Sequence, residues 1–504
     1  MRNMPKPPYI SLLIIICLSI LLNISALRKG HDWADDSALY IAQARSLVEG
    51  TTVQLLAQNS YAMSHSTFPI GPDLTPWGLP IILSPIYALF GLNFLLMKLA
   101  GIVFFELSLV VLFYLFLGKL DNILALFSIG FFAFHPFVLL LNDYVNSDIP
   151  YLFFSFLSIL LIESIIIRNK LSDHRFFGQS LIGFFIFTSY SIRSIGVVLL
   201  PLLFITQIVS TIRIHPKNFL KYLIYDKLFF LPYLTFTLFE FLMYLLLPYA
   251  FSTQVSMVSS PNLSSIMALI KNYINVTSEF FGSYYPVIIY GTAVPFVTLG
   301  LYKTFRKSYL YALYPLLTLT VLVSVPFSQG IRYLLPVFPF FVYFLCVGLQ
   351  NSPLHLSLTS KYFIFRLKLS YIYMAIIICL VVLSSVQDVY VNLKNKRVTE
   401  GPFTAKSQEM LHFLLDHTSK NDIIIFFKPR FITLLTRRQS IMISDFGQMM
   451  RSDGNYVVLY KPPGSYNQIS PAGKDYSEMT ERYPKVFENG DFTIFRLKSE
   501  AAAH

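Results

Sequence analysis

Apolar runs long enough to cross a bilayer recur along most of this chain, and they constrain its fold more than any other feature. They fall at residues 9–27, 98–117, 121–141, 150–167, 177–192, 194–212, 228–248, 284–301, 308–326, 334–350 and 371–387. A spanning helix needs about 20 mostly apolar residues. Backbone polar groups inside hydrocarbon must be satisfied within the segment, so runs of this kind are read as helices, about eleven of them. Composition agrees: 55% of the 504 residues are hydrophobic and 13% are charged, too few charges to coat a soluble protein of that size. The stretch at 78–92 is also apolar, but Pro80, Pro85 and Gly91 interrupt it, and it is expected to pack at the interface. The first run follows a basic start and has no clear small-residue cleavage site, so it is read as a retained helix. The terminal AAAH, residues 501–504, reads as an appended tag and is set aside.

The net charge of +12 would suit a nucleic-acid partner, but the positions of the basic residues argue against one. One set of alternate loops holds Lys119; Arg168, Lys170 and Arg175; Arg213, Lys217, Lys221 and Lys227; Lys303, Arg306 and Lys307; Lys361, Arg366 and Lys368. The other set holds few, notably Arg193 and Arg332. This asymmetry places the first set and the N-terminus in the cytoplasm and the C-terminus outside. Cys17, Cys346 and Cys379 all lie in apolar runs, so neither a disulfide framework nor a thiolate metal site is indicated. The expected organisation is a polytopic α-helical membrane module over 1–390, whose first outer loop (28–97) carries interfacial helices. A small extracytoplasmic α/β domain follows over 391–500. In that tail FTAKSQEMLHFLLDH patterns as an amphipathic helix, and DIIIFF, YVVLY and FTIFRL as strands.

Polar residues cluster at the outer ends of the spans. In HDWADDSALYIAQARSLVEG, Asp36 and Tyr40 share a helix face, whereas the adjacent Asp35 and Asp36 point about 100° apart. An aspartate here also suits a helix cap or the first-turn dipole. Residues 68–91 form a bent, Pro- and Gly-rich segment in which Trp77 suits a headgroup-level anchor. NDYVNSDIPYLFF places Asp143 and Asp148 between two spans, where acids are often simply solvated. SYSIRSIG and SQGIRYLLPVFP place Arg193, Arg332 and Tyr333 at tight outer turns. Charge at membrane depth costs about 2.5–3.5 kcal/mol even on insertion scales, so such residues pair or work. A structural ion-pair network and a phosphate site with a carboxylate base fit these residues equally well. His31, His65 and His135 have no ligand-like spacing, so nothing supports a divalent metal.

Taken together these segments resemble the C-type membrane glycosyltransferases, the superfamily of protein O-mannosyltransferases and aminoarabinose transferases. Asp36, Tyr40 and Gly50 match its first-loop pattern. Pro76, Gly78, Pro80, Leu83, Pro85 and Gly91 match the Pro-Gly segment of bacterial members. Ser147 and Asp148 match the second outer loop, Arg193 and Gly196 an Arg-x-x-Gly, and Arg332, Tyr333 and Pro336 an Arg-Tyr-x-x-Pro. KPRFITLLTRR resembles a segment of the outer domains. The chain departs at Leu74-Thr75-Pro76, which lacks the lysine of aminoarabinose transferases, and at Ser37, where O-mannosyltransferases carry Glu. It also lacks the β-trefoil of the latter.

The resemblance implies an inverting transferase in a membrane such as the bacterial inner membrane. It would move a sugar, mannose among the candidates, from a polyprenyl-phosphate donor to a hydroxyl or amine of a protein, lipid or glycan, without a cofactor. Asp36 would be the general base, with Asp35 second in line, and Asp148 would orient a substrate. Arg193 and Arg332 would hold the donor phosphate, and Tyr333, Tyr40 and Trp77 would line the site. A secondary transporter is the rival reading, but it would place polar groups at the midplane of repeated halves.

Overall fold

A computed structural model describes residues 8–68, 70–169, 174–217, 226–249, 263–325, 330–352, 355–360, 363–395, 398–462, 468–469 and 473–498. Lys170, Lys221, Lys361 and the terminal AAAH lie outside them. Helix α1 (Tyr9–Ala26) leads into the first loop, which carries α2 (Asp35–Glu49), α3 (Thr52–His65) and α4 (Gly78–Phe90). Then come α5 (Phe94–Phe116), the pair α6 (Asn122–Ala133) and α7 (Pro136–Asn142), α8 (Asp148–Leu161, continued as a π-helix to Ile167) and α9 (Arg175–Ile192). A 3-10 turn, Ser194–Val198, opens α10 (Leu199–Ile214). Among the described residues six further helices of at least 14 residues follow before the tail: Leu231–Leu246, Leu263–Thr277, Pro286–Thr304, Tyr309–Val323, Phe338–Asn351 and, after a hairpin of β1 (His355–Ser360) and β2 (Phe363–Lys368), Leu369–Asn395.

Each expected apolar run is helical, yet they are not equal. Among the described residues six helices are long and apolar enough to cross a membrane, or seven if the α6–α7 pair, bent by 49°, is one span. Pro136 explains the bend, because its ring lacks the N–H that would continue α6. The helix α9 is 18 residues long but mixes Gln179, Thr188, Ser189 and Ser191 into its run. Leu231–Leu246, Tyr309–Val323 and Phe338–Asn351 are apolar but shorter than a full span, as is α4. The stretch 78–92, expected to pack at the interface, forms the 13-residue helix α4 with Pro85 inside it.

Two groups of charges inside this bundle are paired. Asp143 is 3% exposed rather than solvated. It accepts from Arg28 Nε at 2.6 Å and from Lys98 Nζ at 2.9 Å. Lys98 Nζ also donates to the carbonyls of Arg28 and Gly30, at 3.1 and 2.8 Å. The start of the first outer loop is thereby tied to the second. At the opposite loops Glu163 is paired with Lys119 and Arg168 and accepts from the Tyr311 hydroxyl.

The tail holds a five-stranded sheet of order β4-β3-β5-β7-β6. Its strands are β3 (Ile423–Ile425), β4 (Gln439–Ile441), β5 (Tyr456–Tyr460), β6 (Lys485–Glu488) and β7 (Phe492–Arg496), with β3 parallel to β4 and β5 and β7 antiparallel to β5 and β6. The amphipathic pattern is the helix Ala405–His417, capped by Thr404 Oγ1. A buried helix, Pro429–Thr436, lies against α2 and forms the seam between tail and first loop. Gln439 Nε2 donates to the carbonyl of Gln58 at 3.0 Å, and Thr67 N to that of Met442 at 2.8 Å. The basic segment KPRFITLLTRR is largely consumed here. Arg430 is 4% exposed and donates to the carbonyl of Pro72 at 2.7 Å. Arg438, 7% exposed, donates to the carbonyls of Leu415, Thr418 and Thr436, capping two helix ends. Two of its four basic residues, Arg430 and Arg438, are thus buried at the seam.

Asp35 belongs to the same seam. It is in the first turn of α2, whose N-cap is Ala34, so neither aspartate caps the helix through its side chain. Burial pushes the Asp35 carboxyl up to about 6, against the pull of Arg430 and Lys428. The backbone N–H of Arg430 pulls the same way, so Asp35 stands as a carboxyl at the N-terminus of the tail helix.

Two outcomes follow from these pairings. Removing Asp143 strands Lys98 without its counter-ion, so Asp143→Ala should lower the unfolding free energy by about 3–5 kcal/mol, read from thermal denaturation in detergent. The Asp35 pKa lies above its ordinary value, so its contribution is complete at low pH and is lost as pH rises through about 6. Asp35→Asn, which cannot ionise, should gain about 2–3 kcal/mol of stability relative to wild type between about pH 4 and pH 8. A pH-independent difference would place Asp35 in contact with water.

Candidate active site

Four segments distant in sequence bring their polar side chains together at one end of the bundle. From α2 come Asp36 and, one turn on, Tyr40. The loop before α8 supplies Ser147 and Asp148, and Asn146 braces the first turn of α8, which Asp148 opens: its Oδ1 accepts from the backbone N–H of Asp148 at 3.0 Å and of Ile149 at 3.3 Å. The end of α9 supplies Arg193, in extended backbone after the last helical turn. The short helix Ile331–Leu334 supplies Arg332 and Tyr333.

Two of these positions depend on glycine. A Cβ on Gly78 would lie 2.6 Å from the carbonyl carbon of Ser191 and 2.7 Å from the nitrogen of Ile192, so only glycine lets α4 press on the end of α9. A Cβ on Gly196 would lie 2.7 Å from the nitrogen of Tyr190. That glycine allows the turn carrying Arg193 to fold back on its helix.

Asp148 is the centre of the cluster. It accepts from Arg332 Nε at 2.6 Å and, through its other oxygen, from Arg193 NH1. The NH1 of Arg332 reaches Asp36 at 3.5 Å, and the Arg193 guanidinium stands 5.5 Å from the centre of the Tyr333 ring. Tyr40 is buried, and its hydroxyl bonds to Ser147 Oγ at 2.9 Å. Burial and the nearby Asp36 raise the Tyr40 pKa, keeping the phenol neutral. Burial works against the Arg332 charge, but Asp148, Tyr40 and Asp36 reverse the effect and raise its pKa. The Asp148 side chain is 5% exposed and that of Asp36 is 48% exposed. One carboxylate thus holds the arginines while the other faces outward. Arg193 Nε and NH2 and Arg332 NH2 make no hydrogen bond among the described residues, which leaves donors for an anion.

The cluster gathers Asp36, Tyr40, Asp148, Arg193, Arg332 and Tyr333. Asp35 and Trp77 stand apart from it. Asp35 faces the tail helix, as helical geometry requires of a neighbour of Asp36. Trp77 is 3% exposed and its indole N–H donates to the carbonyl of Pro248 at 2.9 Å, so it is a packed core residue rather than a headgroup anchor. It borders a small cavity of about 70 Å³ together with Tyr190, Ser191, Ser194 and Glu240.

Sequence reasoning passed over the residues that stitch the loops together. His31 Nε2 accepts from the backbone N–H of Val145 at 3.2 Å, and Nδ1 lies 3.2 Å from Asp32 Oδ1. Ser37, the departure from the O-mannosyltransferase pattern, donates to the carbonyl of Val145 at 2.7 Å. Asn146 was legible as such a brace, an Asn two residues before the acid that opens an apolar run. Among the described residues no three His, Cys, Asp or Glu side chains are grouped to hold a metal ion.

No family model matches the chain, and no curated protein sequence matches it. Solved structures do. ArnT from Cupriavidus metallidurans bound to undecaprenyl phosphate superposes with a TM-score of 0.60 at 10% identity, covering 97% of this chain and 98% of that one. The same protein in its apo state gives 0.54 at 10% identity, covering 96% and 97%. The archaeal oligosaccharyltransferase AglB from Archaeoglobus fulgidus, in complex with an inhibitory peptide and a dolichol-phosphate, gives 0.53 at 9% identity, covering 89% of this chain and 69% of that one. At such identities the likeness is one of fold. The architecture implied by the first-loop, second-loop and arginine motifs is the one found: this chain has the fold of the C-type membrane glycosyltransferases.

Proposed function

We propose that the protein is an inverting glycosyltransferase that takes a sugar from a polyprenyl-phosphate donor at the outer membrane face. One observation carries this reading. Arg193 and Arg332 are fixed by a single buried carboxylate, Asp148, beside a second carboxylate, Asp36, that is half exposed. The structural neighbours lend chemistry to that arrangement, since ArnT is bound to undecaprenyl phosphate and AglB to a dolichol-phosphate.

In the proposed step the acceptor hydroxyl or amine lies between Asp36 and the anomeric carbon. Asp36 takes its proton as the new bond to the anomeric carbon forms on the face opposite the donor oxygen. The bond from that carbon to the phosphate oxygen breaks, and the electron pair leaves with the lipid phosphate. The free N–H groups of Arg193 and Arg332 meet the charge that develops there. Asp148 positions both guanidinium groups, and Tyr40 braces the Ser147 turn that presents Asp148. The donor sugar and the acceptor class set how the cavity beside Trp77 is used.

Topology follows the same reading. The tail and residues 28–97 are packed together, so they share one side, and the basic-loop asymmetry assigns that side to the exterior of a membrane such as the bacterial inner membrane. The full count of eleven spans, the short helices included, gives this arrangement an internal N-terminus.

Asp36→Asn should abolish transfer while leaving expression and donor binding intact, scored by mass spectrometry of acceptors incubated with a polyprenyl-phosphate sugar. Turnover near that of wild type would move the base elsewhere. Arg193→Ala and Arg332→Ala should each weaken lipid-phosphate affinity by roughly tenfold or more, since a charge-assisted bond to phosphate is worth about 1.5–3 kcal/mol. Unchanged affinity in both variants would remove the phosphate site from this cluster. Cysteines introduced at Ser60 and Ser477 should both react with an impermeant maleimide from outside. Labelling of either from the inside alone would overturn the topology.

A further inference from the structure

A second cavity, of about 150 Å³, opens at the far end of α2. Arg45, Ser46, Glu49, Thr51, Gln54 and Arg437 lie among its walls. Arg45 and Asp36 are nine residues apart on one helix, about 14 Å along its axis, so a phosphate held by Arg193 and Arg332 cannot be the group bound here.

The charges in this cavity are unbalanced. Glu49 is engaged by Arg437 at 2.7 Å and by the Tyr87 hydroxyl at 3.0 Å. Arg45 is half-buried and has no carboxylate within ion-pair distance among the described residues. One of its N–H groups is used: NH1 donates to the carbonyl of Leu434 at 2.7 Å. Burial and the like charge of Arg437 press the Arg45 pKa below its usual value. Arg437 itself is held at a φ of +60°, a left-handed conformation in which a long side chain is uncommon. Two arginines therefore face one carboxylate that already has two donors, with hydroxyls and amides completing the wall.

The surroundings indicate where an anion would come from. Val48 and Val53, beside Glu49 and Gln54, are 44% and 66% exposed, and Leu89 and Phe90, at the end of the helix that carries Tyr87, are 76% and 58% exposed. A cavity walled by two arginines, on segments that also expose aliphatic and aromatic side chains, suits the headgroup and upper chains of an amphiphile.

We infer that this cavity is an anion site for the phosphate group of an outer-leaflet amphiphile, bound by Arg45 and Arg437 at the seam between α2 and the tail. It is separate from the donor-phosphate site, and it stands whether or not the transferase reading does. Because its walls come from both α2 and the tail, an occupied site clamps the two together.

The test uses the full-length protein in phosphatidylcholine nanodiscs, titrated with phosphatidylglycerol and followed by native mass spectrometry, with inorganic phosphate as the soluble probe. Wild type should retain phosphatidylglycerol, and Arg45→Gln should weaken that retention by about tenfold, the loss of one charge-assisted contact. Arg45 also holds Leu434, so Gln54→Glu serves as a second variant: it places a negative charge in the exposed wall without touching that bond and should weaken retention similarly. If inorganic phosphate alone stabilises wild type against heat, with the effect lost in both variants, the site takes a soluble phosphate ester and the lipid source is wrong. Retention of phosphatidylglycerol that is equal in wild type, Arg45→Gln and Gln54→Glu, with no phosphate effect, overturns the site itself.

Discussion

The geometry of the candidate site depends on one buried carboxylate shared by two arginines. Asp148 lies 45 residues from Arg193 and 184 from Arg332 in sequence, and each of its oxygens takes one of them. Two guanidinium groups do not settle side by side in a partly dry site without a counter-charge. The carboxylate therefore decides where the ends of α9 and of Ile331–Leu334 come to rest. Everything else in the cluster is secondary to that bridge: Asn146 fixes the turn from which Asp148 projects, and Tyr40 fastens Ser147 to α2. The bridge also leaves several arginine N–H groups uncommitted, so rigidity and vacancy for an anion arise from the same contact.

The helix α2 has a second allegiance. Its first turn holds two adjacent acids that helical geometry sends in different directions. Asp36 goes to the arginines, and Asp35 goes to the N-terminus of Pro429–Thr436. Further along, Arg45 and Glu49 meet the other end of that same tail helix at Leu434 and Arg437. The tail is thus fastened to α2 at both ends, and the orientation of Asp36 is set jointly by the membrane module and by the domain above it. This gives the buried, unfavourably desolvated Asp35 a physical reason to be where it is: it trades solvation for control of a seam.

Much of this was legible in the sequence, and the parts that were not share a cause. Long apolar runs announce helices because lipid leaves the backbone no alternative; Asp36, Asp148, Arg193 and Arg332 stood out because charge at the end of such a run is expensive, and Tyr40 because it shares a helix face with Asp36. The strands β3, β5 and β7 show as apolar clusters. By contrast β4 is the short, half-polar QSI and β6 is a polar edge strand, and neither leaves a period to detect. Pairing was the other blind spot. Asp143 and Asp148 look alike in NDYVNSDIP, yet one locks Arg28 to Lys98 and the other locks the arginines, a difference set by residues far off in sequence. Trp77 misled for the same reason: an amphipathic residue type signals an interface only when tertiary packing leaves it there.

The short helices bear on the depth of the site. Phe338–Asn351 begins just after Arg332 and has 14 residues, and Leu231–Leu246, with 16, packs along the helix that ends at Arg193. At 1.5 Å per residue these rise about 21–24 Å, less than a hydrocarbon core of about 30 Å. A bundle built in this way either thins the bilayer beside it or keeps its outer turns below headgroup level. On the proposed reading, either arrangement would bring the arginine pair near the depth where a lipid's phosphate gives way to its chain. The side chains of Arg193 and Arg332 are 17% and 25% exposed, so protein encloses most of each while leaving part open to a ligand. A charged pair that had to be reached from bulk water would gain nothing from sitting so low. For a phosphate that arrives laterally, still attached to its lipid, the low position puts the donors where the ligand already lies.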